Sequence, residues 1–99
     1  MAYTVEFAQS VETHLKALTA GDRATALAAI ERQLIHEPLK EAKNRKPLRP
    51  NPIAPWELRV GVLRVFYEVI GATAGIVRVL AVGRKQRNVL TIGGKEMQL

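Results

Sequence analysis

The sequence predicts an α+β domain of order β-α-α-β-β-β. A helical hairpin packs on one face of a mostly antiparallel sheet of four strands, with a short fifth strand possible near the C-terminus. Three observations carry this reading. Near the N-terminus, Tyr3, Val5 and Phe7 alternate with Thr4 and Glu6, the period of a half-buried strand. Apolar residues then switch to helical spacing over residues 11–35. From Trp56 onward the period of two returns, in runs separated by glycine. The 99 residues fit one domain, residues 1–99. A chain this small has a thin core to which every element must contribute.

The first strand is expected over residues 2–7. Ser10 offers an N-cap to a first helix whose stripe is Val11, Leu15 and Leu18, with His14 beside it. Gly21-Asp22 is expected to break that helix, and Asp22 to cap the next. The second helix should run from about residue 23 to 35. It is rich in alanine, with Leu27, Ile30 and Leu34 as its stripe. Glu37-Pro38 ends it, since the residue before proline avoids the α region.

Residues 38–55 hold all five prolines together with Lys40, Lys43, Arg45, Lys46 and Arg49. They read as a long basic connection, opening with a short turn of helix, and long loops in small domains are often functional. Trp56, Leu58 and Val60 then alternate with Glu57 and Arg59, and Gly61 permits a turn. In the next strand Leu63, Val65, Tyr67 and Val69 alternate with Arg64, Phe66 and Glu68. Residues 71–75 read as a small-residue turn. Residues 76–82 are the most apolar strand, with Arg78 its one charge, and should lie centrally. The end carries Arg84, Lys85 and Arg87, then a strand-like NVLTI, then a Gly-Gly turn.

Composition narrows the function classes. The chain has no cysteine, which excludes a disulfide framework, a thiolate zinc site and a cysteine nucleophile, and is compatible with the cytoplasm. No apolar run has the length of a membrane span, and the start lacks a signal-peptide pattern. The two histidines, His14 and His36, both fall in the helical region. They are too few for a stable metal site, so neither metal nor cofactor is expected. Residues 1–40 hold four bases and five acids, whereas residues 41–99 hold eleven bases and four acids. The whole excess of positive charge therefore lies in the second part, which suits a polyanion or an acidic protein partner.

Within that part, WELRVGVLRVFYEV poses a specific problem. A hairpin turning at Gly61 brings Arg59 and Arg64 together on the face opposite the helices. Like charges directly across a strand pair are destabilising. Either an anion sits between them, for which a guanidinium fork suits phosphate, or Glu57 and Glu68 on the same face neutralise them locally. With Arg84, Lys85 and Arg87 the two arginines are expected to line one groove across an open face.

The segments AYTVEF, IERQLIHEP, PWELRVGVLRVFYEV and VLAVGRKQRN, in this order and spacing, resemble the RelE/ParE superfamily of bacterial and archaeal toxins over essentially the whole chain. The resemblance implies the toxin of a type II toxin–antitoxin pair, held silent in a hetero-oligomer by a cognate antitoxin. In the RelE branch such toxins are metal-independent, ribosome-dependent endoribonucleases that cut mRNA and inhibit translation. In the ParE branch they poison DNA gyrase. A nontoxic basic module that binds an antitoxin is a third alternative. For RNA cleavage, the resemblance implies Arg64 and Lys85 as catalytic residues: Arg64 stabilises phosphate, and Lys85 stabilises phosphate or donates a proton. Arg59, Arg84, Arg87, Lys43 and Lys46 would contact RNA phosphates. The pattern departs from the family in two places. Pro55, Trp56 and Glu57 stand where well-characterised ribosome-dependent members carry lysines, and Val89, Leu90 and Thr91 stand where they carry a stacking tyrosine. Glu57 or a loop lysine is left as the general base.

Overall fold

The computed structural model of the protein describes residues 3–71 and 75–98. The N-terminal strand is β1 (Thr4–Phe7); Ala2, expected in it, lies outside the described residues. Helices α1 (Val11–Lys16) and α2 (Ala20–Gln33) follow. Ser10 occupies the N-cap position of α1 without a side-chain bond. The break between the helices precedes the predicted one. Thr19, with extended backbone, caps α2 by accepting from the Asp22 N–H at 3.1 Å, which places Gly21 and Asp22 inside the first turn. Thr19 takes the cap, and Asp22 in the first turn then complements the helix dipole.

Among the described residues the basic connection is not structureless. It contributes β2 (Arg45–Pro47), an edge strand ending at proline, where the missing N–H costs no ladder bond. Then come β3 (Trp56–Val60), β4 (Leu63–Ile70), β5 (Ile76–Gln86), β6 (Val89–Ile92) and β7 (Lys95–Met97). The turn expected over residues 71–75 has its central residues outside the described set. The sheet order is β2-β3-β4-β5-β6-β7, with β1 parallel to the start of β5 and every other pairing antiparallel. The expected fifth strand is β6, and β7 adds a hairpin beyond it. Gly61, at φ 59°, opens the two-residue β3–β4 turn, a conformation that glycine takes without penalty.

Strand β5 is the spine, and it is irregular. Its register against β4 shifts between Phe66 and Tyr67, so that Ala81 faces Phe66 and Val79 faces Tyr67, with Leu80 as the extra residue. A bulge of this kind reverses the alternation beyond it. The helix-side core holds Val77 and Val79 before the bulge and Val82 after it, with Val11, Leu18, Ala26, Ala29, Ile30, Leu34, Leu58, Leu63, Val65 and Tyr67. Helix α2 therefore buries Ala26 and Ala29 with Ile30, whereas Leu27, expected in the stripe, is 38% exposed. The opposite face is not bare. Phe66, Ala81, Leu90, Ile92 and Ala54 form a second buried cluster, packed by Leu48 and Ile53 from the basic connection. No helix among the described residues is long and apolar enough to cross a membrane.

Candidate functional site

The face away from the helices carries the charges. Arg59 and Arg64 are register partners across the β3–β4 hairpin, as their spacing about Gly61 predicts. In the adjoining row, Lys46, Glu57, Phe66 and Ala81 lie in register across four strands. Glu57 is only 2% exposed. Its Oε1 accepts from Arg59 Nε at 2.7 Å, and its Oε2 stands 4.0 Å from Arg64 Nε. Local neutralisation is thus real, but it comes from Glu57 alone: Glu68 is in register with Arg78 on β5, and Arg78 pairs with Glu6. One carboxylate serves two guanidinium groups, so the pair keeps a net positive charge.

Arg64 is held more tightly than Arg59. Its Nη1 donates to Gly61 O at 2.7 Å and Leu63 O at 2.8 Å, fixing the head against the hairpin turn. Its side chain is 14% exposed, against 42% for Arg59. Its Nε is buried without a hydrogen-bond partner, because 4.0 Å to Glu57 is too long for a bond. Burial pulls the Arg64 guanidinium below its ordinary value; Glu57 pushes it back up, and Arg59 lowers it further. Such a group gains most from a second anion.

The remaining candidates divide. Lys85, half-buried, lies on the same face because the bulge turns it there, and its backbone N–H donates to Val62 O at 2.7 Å. Arg87 is exposed at the tip of the β5–β6 hairpin. Val62, Lys85, Gln86 and Arg87 line an open groove of about 520 Å³ beside the arginine pair's turn. Lys46 lies in the Glu57 row, and Lys43 is exposed in the tight connection between the bridged residues Ala42 and Arg45. Among the described residues, Lys43, Lys46, Lys85 and Arg87 have no carboxylate within 4 Å.

Arg84 leaves the group. The bulge sends it to the helix face, opposite Leu63, where its Nη1 bonds Asp22 Oδ2 at 2.8 Å. The expected single groove containing Arg84 does not form. Glu57 is likewise too buried and too engaged to meet a substrate hydroxyl, so it does not fit the role of general base. Tyr67 is fully buried and stacks on Trp56, ring centroids 6.1 Å apart. Neither ring lies on the charged face's free surface.

With this geometry in view, the comparisons with known proteins become specific. No family model and no curated protein sequence matches the chain. Solved structures do. A chain of the RelBE2 toxin–antitoxin complex from Mycobacterium tuberculosis matches with a TM-score of 0.73 and 26% identity, over 86% of this chain and 100% of that one. The chain has a RelE-like fold. A chain of the archaeal RelE-RelB complex from Pyrococcus horikoshii matches the same fold with a TM-score of 0.67 and 22% identity, over 88% of this chain and 99% of that one. On the RelE-like fold the hairpin arginines and Lys85 occupy one side of the sheet, with Arg87 at the β5–β6 tip beside them, and α1 and α2 cover the other side. The second apolar cluster is masked in the strand pattern, where Phe66 alternates onto the same face as Arg64 and Glu68. The signal was present in Leu90 and Ile92, which alternate onto that face.

Proposed function

We propose that this protein is the toxin of a toxin–antitoxin pair and that it cleaves messenger RNA on the ribosome without a metal. The likeness to RelE toxin–antitoxin complexes supports the toxin reading, and with it a cognate antitoxin as partner in a hetero-oligomer. The observation that carries the chemistry is the pairing of Arg59 with Arg64 beside the cationic groove of Lys85 and Arg87.

In the reaction, the ribose 2′-oxygen attacks the adjacent phosphorus, and its proton passes to a base. The P–O5′ bond breaks, and the 5′-oxygen takes up a proton, leaving a 2′,3′-cyclic phosphate. Negative charge builds on the non-bridging oxygens as this occurs. Arg64, oriented by Gly61 O and Leu63 O, faces that charge with Arg59. Lys85 supplies the proton or a further cation. Arg87, Lys43 and Lys46 position the RNA backbone. Arg84, tied to Asp22, supports the helix–sheet junction in this reading.

A second reading is a catalytically silent module that binds an antitoxin. It is favoured by the engagement of both hairpin arginines with Glu57 and by the absence of an aromatic residue at 89–91. Induced expression with primer extension on cellular messages separates the two. New message ends and arrested translation that vanish in Arg64→Ala and Lys85→Ala support cleavage. DNA-damage signalling with translation initially intact would instead indicate a gyrase poison, and no growth effect would indicate the silent module.

A further inference from the structure

Glu57 is unusual on a face built to receive an anion. It is the one buried charged side chain among the described residues, 2% exposed, and its negative charge sits beneath the two cations proposed to bind phosphate. A carboxylate this buried needs partners. It has one bond of 2.7 Å to Arg59 and a looser approach of 4.0 Å to Arg64. Arg59 therefore takes the larger share of the carboxylate, whereas Arg64 keeps a buried Nε with no acceptor. Lys46, across from Glu57 on β2, has no carboxylate within 4 Å among the described residues. The site thus carries three cations around one fixed anion, and the anion's bonds are unevenly shared.

We infer that Glu57 is an internal competitor for the oxyanion that Arg59 and Arg64 are placed to bind, so that phosphate binding draws a guanidinium off the carboxylate. This inference rests on the phosphate-binding reading of the two arginines. It does not require RNA cleavage. Glu57 acts as a competitor rather than a mere spacer for two physical reasons. The carboxylate holds the more exposed arginine, the one an incoming phosphate meets first. It also compensates the more buried arginine only loosely, at 4.0 Å, so that guanidinium gains more from a second anion. A phosphate approaching from solvent can bond both heads, and its charge then competes with that of Glu57 for the same two guanidinium groups. The resting protein therefore binds phosphate less well than its arginine content suggests.

The test uses the folded full chain and inorganic phosphate as the probe, with chloride at matched ionic strength as the control. Thermal stabilisation is followed across a phosphate titration. Glu57→Gln keeps the side-chain shape and removes the charge. It should lower the phosphate concentration for half-maximal stabilisation by about tenfold, the scale of one charge-assisted hydrogen bond. Adding Arg64→Ala to that variant should abolish the gain. A folded Glu57→Gln protein with an unchanged or weaker phosphate response overturns the inference and makes Glu57 a purely structural counter-ion.

If Glu57→Gln does not fold, Arg59→Ala decides. That variant loses an exposed side chain and leaves Glu57 to Arg64 alone. The inference then requires the wild-type phosphate response to fall at least severalfold, and an undiminished response refutes it. Absence of RNA cleavage with an intact phosphate response would count against the nuclease reading only.

Discussion

The phenol of Tyr67 donates a 2.7 Å hydrogen bond to the carbonyl oxygen of Pro38. Both residues are fully buried, so this bond fastens the start of the basic connection to the middle of the sheet. Burial holds the Tyr67 phenol well above its ordinary value, against a smaller opposing pull from Arg45, so it remains a neutral donor. Tyr67→Phe strands the Pro38 oxygen without a partner. We expect a loss of about 1–2 kcal/mol in urea unfolding, with the unfolding slope unchanged. The connection carries Lys43 and Lys46, so the same variant should increase its susceptibility to limited proteolysis. Equal midpoints for variant and wild type would show that the bond contributes nothing net.

Residues 76–82 were readable as the central strand because apolar residues fill both faces. The Arg59–Arg64 pairing was readable because Gly61 fixes where the hairpin turns, and the period of two then fixes the rest. Arg84 was misassigned because a bulge has no composition of its own. One extra residue at Leu80 swaps the faces of every side chain beyond it, and nothing local in VLAVG announces it. Strand β2 was hidden for a different reason. Its three residues, Arg-Lys-Pro, lack the β-branched and aromatic side chains that mark strands, and β3 supplies its pairing from a distance in sequence. The chemistry of Glu57 was half readable. Alternation placed it on the arginine face, but its burial was not legible, because its neighbours Lys46 and Phe66 on β2 and β4 come from strands on either side of it in the sheet.

Gly83 marks where β6 closes on β5. A Cβ there would run into Thr91 O and Ile92 Cγ1. The obstruction is largely backbone, which cannot swing aside as a flexible side chain would. Gly83→Ala must push β6 away and disturb the cluster to which Leu90 and Ile92 belong. We expect a loss of about 2–3 kcal/mol in chemical denaturation. Faster amide exchange should appear along β6 and β7, while the exchange of α2 stays near wild type. Uniform loss of protection across the whole chain would argue instead that β6 is inseparable from the core.

His14 couples stability to pH. Along one edge of β5, β1 provides cover through Val79 and β6 begins at Gly83. In the gap between them the Val82 N–H donates to His14 Nδ1 at 3.4 Å, which satisfies a backbone donor that has no strand to pair with. This arrangement requires the neutral imidazole. Burial lowers the His14 pKa from its ordinary value of 6.5. The unfolded chain therefore takes up the proton first as pH falls, and stability from this site is complete above about pH 6.5 and lost as pH drops through the lower folded value. The melting temperature should decline between pH 7.5 and 5. His14→Asn, which keeps an acceptor atom at the same branch position without titrating there, should flatten that part of the profile. A wild-type profile that is level, or a variant profile with the same slope, would remove His14 from the account.

Arg87 separates stability from function. It and Asn88 form the two-residue turn between β5 and β6, both with left-handed backbone, at φ 52° and 64°. Asparagine tolerates that region, but arginine is strained there by roughly 1 kcal/mol. Strain of this kind persists where something else requires the residue, and Arg87 lines the groove that also holds Lys85. Glycine removes the strain at some cost in chain entropy, so Arg87→Gly should leave the protein about 0.5 kcal/mol more stable in urea. On the proposed nuclease reading, the same variant should weaken toxicity and message cleavage, because that reading gives Arg87 a place on the RNA backbone. The two readouts must therefore move in opposite directions. If stability rises while toxicity is untouched, the strained arginine has no part in RNA binding; if stability falls, the turn depends on a contact of Arg87 that outweighs its backbone strain.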